Sequence, residues 1–219
     1  MARSAENTLI KEKEGPSSVE WKDSETLKNL MRAFAGESQA RNRYTFAADA
    51  CRRQGLQVLE AVFLFTAGQE KAHAEIFYGH MKAAAGSTVF IDGGYPADIT
   101  DDPLQLLRHA RHNELEEAET VYPAFAAAAR QEGFDAAAIA FEKIAAIEAV
   151  HAGRFERCAQ LLEAGELFIS RSRCGWMCLN CGHVFYGSQA PAACPVCRRD
   201  QGFFIRLELA PWGGISTEK

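Results

Sequence analysis

The chain has 219 residues, 47% hydrophobic and 24% charged, which suits one or two globular domains and excludes a disordered or collagen-like chain. Lys plus Arg number 24 against 29 Asp plus Glu, a formal charge of −5, which argues against a general nucleic-acid-binding surface. Seven cysteines, four of them in two Cys-x-x-Cys pairs, point to a metal rather than a disulfide framework.

Residues 1–22 are polar and mixed in charge, with Gly15, Pro16 and two serines among them, and read as a flexible arm. They lack the apolar stretch of a signal peptide, and no run approaches the ~18–20 apolar residues of a spanning helix. The expectation is a cytoplasmic protein, without a membrane partner, whose cysteines stay reduced.

Residues 23–167 read as four long helices. The first begins at Asp23 or Ser24 as cap, carries Leu27, Leu30, Met31, Phe34, Tyr44, Thr45 and Ala48 at helical steps, and ends near Gly55. The second carries Leu56, Leu59, Phe63, Thr66 and Phe77 and ends near Gly86. A connection over 87–100 is long enough to cross the end of a bundle. Asp102-Pro103 then gives a cap and a first-turn proline for a third helix reaching Gln131, with a kink expected at Pro123. The fourth starts near Asp135 and carries Phe141, Ile144, Phe155, Cys158 and Leu162. Two helix pairs joined by one long crossover describe a mainly α, ferritin-like four-helix bundle.

Each apolar stripe is interrupted by charge: Glu37 on the first helix, Glu70 and His73 on the second, Glu114 and Glu117 on the third, Glu148 and His151 on the fourth. A carboxylate in a bundle core is expensive unless something neutralises it. Seven such residues near the middles of four helices need one cause, and a pair of metal ions supplies it. One Glu from each of two helices and Glu-x-x-His from each of the other two is the ligand set of carboxylate-bridged dimetal bundles. An (i, i+3) pair points to one side of a helix. The halves also match: Glu37 to Glu70 spans 33 residues, and Glu114 to Glu148 spans 34. Four carboxylates and two imidazoles suit iron or manganese. Glu117 is a fifth carboxylate beyond this set. His80, His109 and His112 fall off the pattern.

Residues 168–219 hold Cys178-Leu-Asn-Cys181 and Cys194-Pro-Val-Cys197, with twelve residues between the pairs. This spacing builds a tetrahedral four-thiolate site, with zinc or iron as the metal. Trp176, Phe185, Tyr186, Phe203 and Phe204 crowd a segment too short to fold without such a staple. Cys51, Cys158 and Cys174 read as structural.

A ferritin-like bundle followed by a rubredoxin-like module resembles the rubrerythrin family. The resemblance spans residues 24–209. It rests on Phe34-Ala-Gly-Glu-Ser-Gln-Ala-Arg-Asn-Arg-Tyr44, on Glu114-x-x-Glu117 ahead of Tyr122-Pro123, on Glu148-x-x-His151 and on the cysteine tail. It implies a di-iron centre held by Glu37, Glu70, His73, Glu114, Glu117, Glu148 and His151. Within it Glu70 and Glu148 would bridge, while His73 and Glu117 would exchange as ligands. It implies that Tyr44 and Tyr122 hydrogen-bond ligand carboxylates. It also implies one iron on Cys178, Cys181, Cys194 and Cys197, in a peroxidase that reduces hydrogen peroxide to water in oxidative-stress protection. A head-to-tail homodimer would be expected. With no dinucleotide fingerprint in the chain, electrons would come from a separate rubredoxin or NAD(P)H-dependent reductase. Two alternatives stay open, a ferroxidase or iron-handling protein and a zinc-stabilised protein without enzymatic activity.

Overall fold

A computed structural model describes residues 19–211, so most of the expected arm lies outside the described residues. Residues 21–23, at its end, form a 3-10 turn. The Trp21 ring sits edge-on to Phe134 at 5.0 Å, where it closes the end of the bundle.

Helix α1, Glu25–Arg53, starts where Ser24 accepts a hydrogen bond from the Leu27 N–H. Glu132, from the far end of the bundle's second half, adds a second cap. Its carboxylate accepts from the backbone N–H groups of Glu25 and Thr26, at 2.9 and 2.8 Å. These are donors that a helix start leaves without internal partners. Helix α2 is Gln57–His80, followed by a single 3-10 turn before Gly86. Gly55 and Gly86 sit at φ +74° and +81°, the left-handed conformation that ends a helix cheaply only at glycine.

The third helix departs from the expectation. Helix α3, Pro103–Glu116, starts at the predicted Asp102 cap, whose carboxylate accepts from the Leu104 N–H. Instead of a simple kink at Pro123, the chain makes a π-helical turn over Glu117–Val121 and resumes as α4, Tyr122–Gln131. The Tyr122 N–H bonds to the Glu117 carbonyl five residues back. Pro123 has no N–H to offer Glu119, so the wider turn takes up the break that a proline would otherwise force. Helix α5, Asp135–Glu163, completes the bundle. Helix α1 packs on α2, and α5 on α3 and α4. Among the described residues no helix is long and apolar enough to cross a membrane.

The apolar core is split in two. One cluster includes Tyr44, Leu59, Phe63, Leu107 and Phe155; the other includes Leu30, Phe77, Tyr122, Phe141 and Ile144. The charged residues of the four stripes lie between them.

The C-terminal module is a three-stranded antiparallel sheet in the order β2-β1-β3. Strand β1 is Ile169–Cys178, β2 is Val184–Gln189 and β3 is Phe204–Arg206. Trp176 faces Phe185 on one side and Arg206 on the other, and its ring N–H donates to the Gly187 carbonyl at 3.1 Å. Trp176, Phe204, Cys178 and Cys194 form its buried core, while Phe185 remains 38% exposed. The module rests on the bundle through the first cluster, which also contains Leu167, Ile205 and Ala210. Gly202 makes the closest approach. A Cβ there would lie 1.9 Å from the Gly55 carbonyl oxygen.

Candidate metal centres

The helix registers bring six of the seven predicted side chains into one buried layer. Glu37, Glu70, Glu114, Glu148 and His151 are each 1% exposed or less, and His73 is 4% exposed. Their ligand atoms form two groups, Glu37, Glu70, His73 and Glu148 in one and Glu70, Glu114, Glu148 and His151 in the other, with all atoms of a group within 4.8 Å. Glu70 and Glu148 belong to both. The Glu148 oxygens lie 2.8 Å from His73 Nδ1 and 2.7 Å from His151 Nδ1. The Glu70 oxygens lie 3.2 and 3.0 Å from the same two nitrogens. The geometry therefore gives each half of the site one carboxylate of its own, one imidazole and a share of Glu70 and Glu148.

Two tyrosines set the terminal carboxylates. The Tyr122 hydroxyl donates to Glu37 Oε1, and the Tyr44 hydroxyl to Glu114 Oε1. Each bond turns the other oxygen, Oε2, inward, where it has no hydrogen-bond partner. Both oxygens of Glu70 and of Glu148 are likewise buried without one, as is Nδ1 of each histidine. Buried polar atoms are rarely left so. Orphans on six side chains converging on two points fit a metal pair, which would occupy their inward lone pairs. Hard carboxylate oxygens with imidazole suit iron.

The electrostatics of the metal-free layer agree. Burial pushes Glu70 upward, but the facing His151 and His73 imidazoles outweigh it and hold it near 2. Burial would lower the imidazoles, yet the carboxylates around them raise His73 to about 12 and His151 to about 11. Burial dominates at the terminal positions, lifting Glu114 to about 8 and Glu37 well above the usual carboxylate range.

Glu117 falls outside both groups. It sits in the π-helical turn, half-buried, with its Oε1 3.8 Å from where a Cβ on Gly36 would stand. Burial, then the neighbouring Glu37 and Glu114, hold its carboxyl well above the usual range. Its N–H bonds to the Asn113 carbonyl four residues back, so Glu117 keeps helical register with Glu114 and the extra residue of the π turn comes after it.

Arg154 is a residue that the stripe pattern overlooks. It lies one turn beyond His151, with its guanidinium donating to Thr66 Oγ1 at 2.9 Å and Gln69 Oε1 at 3.0 Å and stacking over Phe65. Its sequence signal is a basic residue three positions after a candidate ligand on the same helix. Cys51 and Cys158 are buried in the bundle core, and His80, His109 and His112 lie outside both groups.

In the module, the Sγ atoms of Cys178, Cys181, Cys194 and Cys197 converge within 4.8 Å. Cys178 and Cys197 are 3.7 Å apart, and Cys181 and Cys194 3.6 Å. A tetrahedron with metal–sulfur bonds of about 2.3 Å has edges of about 3.8 Å, so the four sulfurs fit one ion. The two knuckles are alike. The N–H of Cys178 bonds to the His183 carbonyl, and that of Cys194 to the Arg199 carbonyl. Gly182 and Arg198, each following the second cysteine of a pair, take φ +77° and +65°. The Arg199 backbone N–H, pointing at sulfur, outweighs burial and draws Cys197 down to about 6.

Comparison with known proteins agrees with this geometry. The rubrerythrin family model matches residues 28–159, and the model of the rubrerythrin rubredoxin-like domain matches residues 176–205. Rubrerythrin of Clostridium perfringens is 40% identical over 184 residues, covering 84% of this chain and 94% of that protein. Rubrerythrin of Porphyromonas gingivalis is 40% identical over 183 residues, covering 84% and 90%. Among solved structures, mixed-valent nigerythrin superposes with a TM-score of 0.56 at 27% identity, covering 84% of this chain and 90% of that one. With its di-iron candidate layer and its four-cysteine rubredoxin-like site, the chain belongs to the rubrerythrin family.

Proposed function

We propose that the protein is a non-haem di-iron peroxidase that reduces hydrogen peroxide to water, with electrons relayed through the four-thiolate centre, in defence against oxidative stress. The observation that carries this reading is the sharing of Glu70 and Glu148 between two four-ligand groups in one buried layer. Adjacent irons held there supply two electrons at one place, as H2O2 + 2e⁻ + 2H⁺ → 2H2O requires, and iron on four thiolates supplies electrons singly.

The chain's residues divide the work. Glu37, Glu70, His73 and Glu148 would hold one iron, and Glu70, Glu114, Glu148 and His151 the other. Tyr122 and Tyr44 each donate a hydrogen bond to the outer oxygen of Glu37 and of Glu114, which leaves the inner oxygens free to act as ligands. Glu117, on the π turn beside the layer, would serve as an alternative ligand to His73 for the neighbouring iron. Cys178, Cys181, Cys194 and Cys197 would hold the third iron. Electrons reach it from a rubredoxin or an NAD(P)H-dependent reductase. The protein acts in the cytoplasm as a head-to-tail homodimer. The exposed apolar side chains Leu64 and Ile76 on α2, with Ile147 and Val150 on α5, support an apolar partner face.

The test is anaerobically purified, iron-loaded protein given hydrogen peroxide and a rubredoxin-type donor. Donor oxidation at one peroxide per two electrons, with visible bands of thiolate-bound iron bleaching and recovering, is the expected outcome. Oxidation and retention of added Fe(II) without donor-dependent peroxide turnover would establish a ferroxidase instead. A colourless, zinc-loaded tail would remove the electron relay.

A further inference from the structure

A cavity of about 820 Å³ lies between the first half of α1, the 87–100 crossover and the π-helical turn. Gly36, Glu117 and Tyr122 line its inner end. A Cβ on Gly36 would stand 3.7 Å from Tyr95 Cε1 and 3.8 Å from Glu117 Oε1, so the Tyr95 ring and the Glu117 carboxyl flank bare backbone there. Tyr122 is the hydrogen-bond donor to Glu37. The inner end of the cavity is thus the outer side of the Glu37 half of the metal layer.

The cavity is far larger than hydrogen peroxide needs. A water takes about 30 Å³ of liquid and hydrogen peroxide at most roughly twice that, whereas pockets of ~300–1,000 Å³ hold ligands of ten or more heavy atoms. Ala33, Pro96, Val121, Ala124 and Phe125 make much of the wall apolar, beside the uncharged polar side chains of Asn29, Gln39, Asn113 and Thr120. The cation at the rim is not free to bind an anion. The Arg32 guanidinium is already tied to Glu25, to Asn29 Oδ1 at 2.6 Å and to Asp92 Oδ1 at 2.6 Å. Glu25, Asp92 and Glu116 add carboxyl groups along the rim. A fitting occupant is therefore uncharged, largely apolar and oxygen-bearing at the end that reaches Glu117.

We propose that this cavity admits alkyl hydroperoxides as further substrates. The alkyl group would lie along Val121 and Phe125 and the peroxide oxygens at the Glu117 end. The reaction is ROOH + 2e⁻ + 2H⁺ → ROH + H2O. The O–O bond breaks, the terminal oxygen leaves as water, and the oxygen on carbon takes a proton to give the alcohol. The electrons come from the same iron-sulfur donor protein as for hydrogen peroxide. The inference rests on the peroxidase reading and adds a substrate class to it.

The experiment compares cumene hydroperoxide and hydrogen peroxide on the iron-loaded full chain with one donor. It also measures binding of the product alcohol, 2-phenyl-2-propanol, to metal-free protein by saturation-transfer NMR. Two variants narrow the cavity from opposite sides at exposed positions, Ala124→Trp on α4 and Gly94→Trp on the crossover, where nothing lies within 4 Å of an added Cβ. For a ligand of this size the alcohol should bind with a dissociation constant of about 1 mM. At least one folded variant should weaken that binding and cut kcat/KM for cumene hydroperoxide by about tenfold or more, with hydrogen peroxide changed less than about twofold. Turnover of hydrogen peroxide alone, with no alcohol binding, would overturn the alkyl-hydroperoxide proposal and leave the peroxidase reading standing. Equal loss on both peroxides in both variants would also overturn it. Turnover of neither peroxide would overturn the peroxidase reading itself and this inference with it.

Discussion

Loading the dimetal layer with ferrous iron should expel at least three protons at pH 7. In metal-free protein, His73 and His151 are imidazolium at that pH, raised to about 12 and 11 by the carboxylates that outweigh their burial. Glu70, held near 2, and Glu148, also lowered, are ionised. Burial raises Glu114 to about 8, which makes it a neutral acid at pH 7, and lifts Glu37 well above the usual carboxylate range. As ligands, both imidazoles must be neutral and the carboxyls ionised, so the two imidazolium protons and the Glu114 proton depart. Calorimetric titration with Fe(II) in two buffers of different ionisation enthalpy counts the protons. Between pH 6 and 7, where these three groups stay protonated in the metal-free protein, affinity for the pair should rise at least about 10³-fold per pH unit. A count above three would come from Glu37 or Glu117, both raised by burial, and Glu117→Gln tests the second source. Release of one proton or fewer would refute the charge arrangement. Stability of the metal-free protein follows the same sign. The contribution of Glu37 and Glu114 is complete below about pH 4.5 and is lost as the pH rises, through about 8 for Glu114.

The tyrosine bonds predict separable effects. Tyr122→Phe orphans Glu37 Oε1 and should weaken one iron site roughly 10–100-fold, while Tyr44→Phe does the same to the Glu114 site, both read as iron retained per chain after dialysis against chelator. Glycine replacement should change sign with position. Gly202→Ala places a Cβ 1.9 Å from the Gly55 oxygen and should cost about 1–3 kcal/mol of module docking, seen as faster amide exchange at Ile205. Gly68→Ala, with nothing within 4 Å, should stabilise α2 by about 0.5–1 kcal/mol. Glu132→Ala removes the carboxylate that caps α1 from the other half of the bundle. It should lower stability by about 1–2 kcal/mol, a fall of roughly 2–8 °C in melting temperature.

Most of the bundle is legible because its signals are local. Asp102 and Ser24 cap the helices they are expected to cap, and Gly55, Gly86 and Gly133 take left-handed conformations past helix ends. The six ligand candidates are legible for a different reason, since charge on an apolar stripe is unfavourable and therefore informative. What escapes the sequence depends on contacts between distant segments. The Glu132 cap on α1 joins residues more than a hundred positions apart. The cavity needs the crossover to come to rest against α1, with Tyr95 donating to the Arg32 carbonyl. Module docking depends on Gly202 meeting Gly55, and nothing near either residue announces the pairing.

The π-helical turn is an intermediate case, because its signal is present as a one-residue mismatch between the two halves. Glu37 lies 7 residues before Tyr44 and Glu114 lies 8 before Tyr122, although both tyrosines do the same work on the opposite half's glutamate. From each tyrosine to the glycine that ends its helix is 11 residues, Tyr44 to Gly55 and Tyr122 to Gly133, and from each glycine to the shared glutamate, Glu70 or Glu148, is 15. The 33-against-34 difference between the halves is therefore confined to the stretch between Glu114 and Tyr122. That stretch contains the π-helical turn, which absorbs one extra residue and keeps Tyr122 in register. The same turn lines the cavity with Glu117, Thr120 and Val121, whereas the position matching Glu117 in the first half is Ala40, buried in the core. One inserted residue thus breaks the symmetry of the dimetal layer on a single side. It gives that side an approach from solvent beside a fifth carboxyl, while the helices around it keep the packing that holds the other six side chains in place.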